Sequence, residues 1–295
     1  MESQRLLDSQ EQASAADPRD ARVEARNDDS AGAAARPELE LLAVDKTFQT
    51  RQGSTEALSD INLSVDRGEF ISLLGRSGCG KTTLLRILAG LIAPTEGEVR
   101  VGDRSLWHGA NRDSEALSKF GLVFQDPNLF PWFSIEDNIA LPLKLRGVAK
   151  KARRARAEEL CDLLGLSGFE RSYPRELSGG MRQRAAIARA LSYDPRILLM
   201  DEPFGALDAM TRDKMNLELQ SISITTGATV VFVTHSITEA VFLADRVVLL
   251  SPRPGRIRSV VPVTFERPRA LESESDSSFQ EVVRTLRHEL DEEGV

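Results

Sequence analysis

The stretch GRSGCGKTT, from Gly75 to Thr83, constrains the fold of this chain more than any other segment. It follows the apolar run EFISLLG and precedes KTTLLRILAG, whose apolar residues recur at helical spacing. A strand, a glycine-rich loop and a helix, in that order, form a unit that binds phosphate groups. The sequence therefore predicts a phosphate-binding loop within an α/β fold.

The residue types in this loop suit phosphate chemistry. The glycines let backbone N–H groups converge on an anion, and the following helix directs the positive end of its dipole there. Lys81 adds a flexible charge for the β- and γ-phosphates, while the Thr82 hydroxyl can ligate Mg²⁺. We assign nucleotide binding to Gly75, Arg76, Ser77, Gly78, Cys79, Gly80, Lys81, Thr82 and Thr83. A tight strand-to-helix turn with an incidental lysine is the alternative interpretation.

A second segment, RILLMDEP, supplies acidic groups. Its apolar run delivers Asp201 and Glu202 at the carboxyl end of a predicted strand, where ligands of parallel sheets bind. We expect Asp201 to hold Mg²⁺ and Glu202 to polarise the attacking water. A strand that ends in a solvated acidic turn is the alternative, and the phosphate loop favours the functional interpretation.

The pattern along the chain predicts one α/β domain with short extensions. Residues 1–37 are polar and poor in aromatic residues, which predicts a disordered lead. Residues 38–265 alternate apolar strands with helices, which predicts a largely parallel sheet covered on both faces. Residues 127–192 read as consecutive helices inserted in that domain, and residues 266–295 form a short tail with one helix.

Composition narrows the classes of function. The formal net charge of −7 argues against nucleic acid as the main partner, since phosphate-tracking surfaces are basic. The sequence contains no run of about 18 apolar residues, which is the length that a membrane span requires. Its first residues lack the apolar core of a secretory signal. Cys79 and Cys161 have no metal-ligand spacing. We therefore expect a cytosolic chain in which neither cysteine thiol has a function of its own.

Six motifs in order resemble the nucleotide-binding subunit of ABC transporters. They are GRSGCGKTT, the glutamine of VFQDP, LSGGMRQR, RILLMDEP, ALD and the histidine that ends VTH. The resemblance covers residues 38–265. It implies a RecA-like P-loop NTPase core, an antiparallel β subdomain near the N-terminus and an inserted helical subdomain that carries the signature loop.

The resemblance also implies roles for four residues outside the phosphate loop. Phe48 would stack on adenine, although a core phenylalanine is the alternative. Gln125 would reach the Mg²⁺ ion and the attacking water, and an exposed polar loop residue is the alternative. His235 would contact the γ-phosphate and join Glu202 and Gln125 as the catalytic set, although a purely structural histidine is the alternative. Asp208 would orient the partner's site across a dimer interface, and it also suits the N-cap of a helix.

The stretch LSGGMRQR raises the question of why one chain needs a second glycine loop. Ser178 can cap the following helix, and Gly179 and Gly180 leave N–H groups accessible to an anion. The resemblance implies that this signature loop covers the γ-phosphate of ATP held by a second copy. Relatives commonly have Gln where this chain has Met181, and the phosphate-binding features do not depend on that side chain. We therefore expect an active ATPase.

The implied function is ATP hydrolysis that energises an importer at the cytoplasmic face of the inner membrane. The implied assembly is a homodimer of this subunit, two integral-membrane permease subunits and a periplasmic solute-binding protein. The stretches LFPW and SPRPGRI resemble the group that imports sulfonates, taurine and nitrate, and we favour aliphatic sulfonates among these cargoes. A soluble ABC-type ATPase acting on DNA or ribosomes, and a regulator that does not hydrolyse ATP, are the alternatives from other classes.

Overall fold

The structure of this chain, a computed structural model, describes residues 36–51 and 53–291. The predicted disordered lead, residues 1–37, therefore lies outside the described residues except for its last two positions. Within the part of the chain that the structure describes, none of the helices combines the length and the apolar character needed to cross a membrane.

Twelve strands and eight α-helices make up the described chain. The strands are β1 (Leu39–Thr50), β2 (Gly53–Val65), β3 (Phe70–Leu74), β4 (Glu96–Val101), β5 (Arg104–Ser105), β6 (Trp107–His108), β7 (Asn111–Arg112), β8 (Phe120–Val123), β9 (Ile197–Asp201), β10 (Thr229–Val233), β11 (Arg246–Leu250) and β12 (Ile257–Pro262). The helices are α1 (Lys81–Leu88), α2 (Ser114–Leu117), α3 (Ile135–Leu145), α4 (Lys150–Leu163), α5 (Gly179–Leu191), α6 (Ala209–Thr226), α7 (Ile237–Leu243) and α8 (Ser277–Asp291). Single 3₁₀ turns lie at Pro174–Glu176 and Leu271–Ser275.

A six-stranded sheet in the order β12-β11-β3-β10-β9-β8 forms the centre of the fold. All its neighbouring strands are parallel except the antiparallel pair β11 and β12. Every residue of β3 and of β10 is buried, which explains why these strands read as continuous apolar runs. The α/β class predicted from the sequence is confirmed.

The register of this sheet brings distant segments to one edge. Leu73 lies opposite Val233, and Val233 lies opposite Asp201 on its other side. The residues that follow β3, β9 and β10 therefore emerge together at the carboxyl ends of the strands. Helix α1 begins at this edge, six residues after Gly75.

An antiparallel sheet in the order β2-β1-β4-β5 packs beside the central sheet. On β2 the buried residues Leu58, Ile61, Leu63 and Val65 join a cluster that also contains Leu73 of β3. The stretch INLSVDRGEFISLLG is divided between β2 and β3 by a turn in which the Glu69 N–H donates to the Asp66 carbonyl at 3.2 Å. The turn places the two halves in different sheets.

Helices α3, α4 and α5 form the helical region between β8 and β9. Helix α3 begins after Ser134, whose hydroxyl accepts a hydrogen bond from the Asp137 N–H at 3.1 Å. The three helices bury Ile139, Leu160 and Ile187 in a cluster that extends to one face of the central sheet. The predicted boundaries of the helical subdomain and of the tail stay predictions.

The last described helix, α8, packs on the core and reaches the phosphate loop. Phe279, Val283 and Leu286 are buried in the same cluster as the helical region. At its end, the guanidinium group of Arg76 donates to the Leu290 carbonyl at 3.0 Å. Carbonyls in the last turn of a helix lack intrahelical partners, so an arginine is a favourable neighbour there.

Candidate functional site

The predicted phosphate loop spans the gap between β3 and α1. Gly80 precedes the helix with φ of 106°, and a Cβ added there would lie 2.6 Å from Leu58 Cδ2 and 2.8 Å from the Ala57 carbonyl oxygen. Both the left-handed backbone and the close approach of β2 therefore require glycine at this position. Arg76, Ser77 and Gly78 are exposed, whereas Cys79 is buried.

Lys81 is buried at the start of α1, and its side chain folds back over the loop. The Nζ atom donates to the Gly75 carbonyl at 2.6 Å and to the Arg76 carbonyl at 3.1 Å. The ammonium group is thus held at the mouth of the loop by its own backbone. It adds positive charge where the N-terminus of α1 already favours an anion.

The Thr82 hydroxyl donates to Oδ1 of Asp201 at 3.1 Å, although the two residues are 119 positions apart. Burial raises the pKa of Asp201, and the hydrogen bond from Thr82 opposes that shift. A hydroxyl and a carboxylate are oxygen ligands of the kind that Mg²⁺ accepts. Among the described residues, no group of three His, Cys, Asp or Glu side chains is arranged to hold a metal. The pair fits an Mg²⁺ ion that takes its other ligands from phosphate and water.

Glu202 and His235, which the resemblance placed in one catalytic set, contact each other beside this pair. His235 Nδ1 lies 3.0 Å from Oε2 of Glu202, and the His235 side chain is 60% exposed. A Cβ added at Gly205 would lie 3.8 Å from Glu202 Oε2 and 3.7 Å from Gln125 Nε2. The amide of Gln125 and the carboxylate of Glu202 therefore face the same small space above Gly205.

Phe48 lies near the far end of β1 and is 38% exposed. The Nζ atom of Lys46 lies 5.2 Å from the centroid of the Phe48 ring. This exposure excludes the core role that the sequence left open and makes the ring available for stacking on a ligand.

The signature loop opens α5, where Ser178 is the N-cap. Its hydroxyl accepts a hydrogen bond from the Met181 N–H at 3.3 Å. Gly180 lies so close to α6 that an added Cβ would be 2.9 Å from Thr211 Cγ2. Gly179 is half-buried and Ser178 is exposed, so the start of this helix is accessible from outside.

Asp208 caps α6, which is one of the two interpretations of this residue given by the sequence. Its Oδ1 accepts from the Thr211 N–H at 3.0 Å, and its Oδ2 accepts from the Thr211 hydroxyl at 2.8 Å. The backbone hydrogen bond from Thr211 lowers the pKa of Asp208, so the exposed carboxylate is charged at neutral pH.

The sequence did not reveal three residues that surround the Glu202 and His235 pair. Arg212, Thr234 and Glu239 line a small cavity together with Glu202 and His235. Glu239 is buried, although it lies on a helix where a glutamate would ordinarily face solvent. Its spacing of four residues from His235 is the only signal in the sequence, and that signal is weak.

Strand, glycine loop and helix, with acidic residues on the neighbouring strand, define a RecA-like P-loop NTPase with a helical insertion. Residues 58–205 match the family model described as ABC transporter. The chain belongs to the ABC transporter family, as the six motifs indicated.

Two relatives and one solved structure illustrate the similarity. The chain is 41% identical over 252 residues to the aliphatic sulfonates import ATP-binding protein of Bacillus cereus, covering 85% of this chain and 95% of the relative. It is 46% identical over 228 residues to the nitrate import ATP-binding protein of Synechocystis, covering 77% and 83%. A solved ATP-binding cassette, a dimer in a post-hydrolysis state bound to ADP and Pi, superposes with a TM-score of 0.67 at 35% identity, covering 77% of this chain and all of that chain.

Proposed function

We propose that this chain is the ATP-hydrolysing subunit of an ABC importer, and that its cargo is an aliphatic sulfonate. The observation that carries the hydrolytic role is the meeting of Lys81, the Thr82–Asp201 pair and the Glu202–His235 pair at one edge of the sheet. These groups supply a cation for phosphate, oxygen ligands for Mg²⁺ and a carboxylate that can act as a base.

Each group has a distinct task in this proposal. The loop N–H groups and Lys81 bind the phosphates, and Phe48 stacks on the adenine. Thr82, Asp201 and Gln125 would hold Mg²⁺, which when bound offsets negative charge on the phosphates. Glu202 orients the attacking water and accepts its proton, while His235 holds the carboxylate through Nδ1 and contacts the γ-phosphate.

The second glycine loop and Asp208 complete the site of a second copy in this proposal. Ser178 and Asp208 are both exposed, and each caps a helix whose N-terminus favours an anion or a polar partner. A similar solved cassette is a dimer. Two copies arranged head to tail would each cover the ATP held by the other, and hydrolysis would remove the group that both copies hold.

A shallow groove supports the proposal of a permease partner. It has a volume of about 470 Å³ and runs between the end of α1 and the helical region, lined by Leu91, Leu117, Leu122, Arg146 and Tyr193 among others. The segment after Gln125 carries exposed aromatic rings, with Trp132 67% exposed. The buried Asn138 side chain fixes this segment, since its Oδ1 accepts from the Phe130 N–H at 2.7 Å. Apolar grooves of this kind accept an amphipathic helix.

The cargo assignment depends on resemblance. In the proposed assembly the permease and the periplasmic solute-binding protein select the solute, and this subunit contacts neither site. The stretches LFPW and SPRPGRI favour the sulfonate, taurine and nitrate group. The import proteins named above carry sulfonate and nitrate in their names at similar identities, so taurine and nitrate stay as alternatives to the sulfonate.

The test is purification of the tagged chain from membranes of its own cell. We expect an integral-membrane permease to co-purify with it and to be lost when Leu91→Asp and Leu122→Asp are introduced in the groove. The purified complex in lipid nanodiscs, supplied with its solute-binding protein, should hydrolyse ATP faster with its cargo. Alkanesulfonate, taurine and nitrate are compared in separate reactions, and Lys81→Ala serves as the inactive control. Recovery of only ribosomes or DNA would contradict the importer role, and a response to taurine or nitrate alone would correct the cargo.

A further inference from the structure

A buried carboxylate supports the segment that carries His235. Glu239, in the first turn of α7, is 7% exposed. It accepts a hydrogen bond from the hydroxyl of Thr234, the residue that precedes His235. The same hydroxyl accepts from the Ser236 N–H at 3.0 Å. The backbone on both sides of His235 is therefore linked to one hydroxyl, whose orientation Glu239 determines.

Arg212 connects this carboxylate to the loop that ends at Asp208. Its guanidinium group donates to the Leu207 carbonyl at 2.9 Å, and its backbone N–H donates to the Asp208 carbonyl at 2.9 Å. Arg212 and Glu239 line the same small cavity. Each also has one buried polar atom, Nε of Arg212 and Oε1 of Glu239, without a hydrogen-bond partner among the described residues.

The charges around Glu239 come from three elements. Arg212 faces it from α6, His235 from the segment before α7, and Glu202 from the segment after β9. Burial raises the pKa of Glu239, and the Thr234 hydrogen bond, Arg212 and His235 oppose that rise, whereas Glu202 adds to it. A carboxylate held at this depth costs free energy unless it is hydrogen-bonded and faces a cation. Thr234 and Arg212 supply those two interactions.

We propose that Glu239 is a positioning residue for ATP hydrolysis, which holds His235 through Thr234 and connects it through Arg212 to the loop at Leu207 and Asp208. The loop faces the second copy in the proposed dimer, so its movement on dimer closure would be transmitted to His235 and Glu202. This role rests on the proposed function, because the position of His235 matters only if the chain hydrolyses ATP.

Four variants of the full chain test the first half of this proposal. Thr234→Val keeps the shape of the side chain but removes the hydroxyl, and we expect kcat to fall about tenfold or more, since small displacements of reacting groups are costly. The KM for ATP should change by less than about threefold, because the phosphate loop is untouched. Thr234→Ser should restore most of kcat. Glu239→Gln, which still accepts from Thr234, should lose less than Glu239→Ala.

A double-mutant cycle tests the connection to the loop. Glu239→Gln and Arg212→Met are measured singly and together, and we expect the combined loss in kcat to be smaller than the product of the single losses. Glu218→Gln is the matched control, because Glu218 is also a glutamate that faces an arginine, Arg184, but it is half-buried and lies away from His235. Its kcat should stay within about twofold of the wild-type value.

Amide hydrogen exchange without nucleotide separates failure of this role from failure of the proposed function. Thr234→Val should speed exchange at Ser236, whose N–H loses its acceptor, whereas Thr234→Ser should not. A wild-type chain that does not hydrolyse ATP overturns the proposed function and this role together. If the wild type hydrolyses ATP, three results would overturn only the positioning role. They are a wild-type kcat in Thr234→Val, no rescue of kcat by Thr234→Ser, and independent losses of kcat in the double-mutant cycle.

Discussion

The imidazole of His235 lies 3.0 Å from the carboxylate of Glu202, although the two residues are 33 positions apart in the chain. They meet because β9 and β10 are parallel neighbours whose ends are in register, with Asp201 opposite Val233. Glu202 then turns with φ of 43°, a conformation that costs on the order of 1 kcal/mol for a residue with a side chain. The backbone itself therefore points the carboxylate towards His235.

Glu202→Gln should stop hydrolysis and leave ATP binding intact. Glutamine retains the shape of the side chain but cannot accept a proton from water, so the ATP that links two copies would persist. We expect the variant to elute as a dimer with saturating Mg-ATP, measured by size-exclusion chromatography with light scattering. With ADP it should elute as a monomer, and a variant that is monomeric in both nucleotides would contradict the composite site.

Lys81→Ala should abolish nucleotide binding or turnover. The change removes the buried ammonium group and leaves the carbonyls of Gly75 and Arg76 without this donor. Loss of one preorganised donor to a phosphate commonly costs about 100-fold or more in rate. Lys150→Ala, at an exposed position at the start of α4, is the control and should behave as wild type. Unchanged ATP hydrolysis in Lys81→Ala would exclude the phosphate-loop assignment.

Asp201→Asn should stabilise the chain without nucleotide while reducing Mg-ATP hydrolysis. Burial raises the pKa of Asp201, so the folded chain is more stable when this carboxyl group is protonated. That stability is lost as pH rises through the raised pKa. The neutral amide avoids this loss and still accepts from Thr82. In thermal melts, carried out in metal-free buffer near neutral pH, we expect the variant to melt about 2–4 °C higher than wild type, which corresponds to about 1 kcal/mol in the free energy of unfolding. The difference should shrink towards acid pH.

Asp113→Asn is the control for that pH trend. The backbone hydrogen bond from Ala116 lowers the pKa of Asp113, so its carboxylate contributes stability above the ordinary pKa of aspartate and loses it as pH falls through the lowered pKa. The melting temperature of this variant should not exceed that of wild type at neutral pH. A difference between Asp201→Asn and wild type that grows as pH falls would show that burial does not dominate at Asp201.

Met181→Gln should change ATPase activity by less than about threefold, whereas Ser178→Ala should reduce it clearly. Met181 packs partly against the core, and its N–H donates to the Ser178 hydroxyl whatever its side chain. Ser178→Ala removes that N-cap, which costs about 1 kcal/mol, and a group that we assign to the partner's phosphate. Steady-state ATPase rates check both variants, and a large gain in Met181→Gln would mean that its side chain matters more than we propose.

The sequence predicted the local parts of the site better than its surroundings. The phosphate loop and the Asp201–Glu202 pair each lie at a strand end marked by an apolar run, so their positions follow from short segments. Asp208 and Ser178 were predicted as helix caps and are caps in the structure. The catalytic and binding roles of these residues stay predictions until the variants are measured.

Other features could not be predicted because they depend on contacts between distant segments. Glu239 resembles a solvent-facing glutamate until the fold places it under Thr234 and opposite Arg212. Strands β4 to β8 have 2 to 6 residues each, too few for alternation to distinguish them from loops. Phe48 had two interpretations, and only the packing of β1, which leaves the ring 38% exposed, excluded the core one.

The place of β3 in the middle of the sheet has a consequence for the synthesis of the protein. The phosphate-loop strand lies between β10 and β11, and β11 ends 176 positions after β3. At about 5–20 residues per second, a ribosome needs roughly ten to thirty-five seconds to make that interval. For most of this time the nascent chain carries a complete phosphate-loop sequence on an apolar strand with neither neighbour. Chaperones are therefore expected to bind Phe70–Leu74 before any nucleotide can bind the loop that follows it.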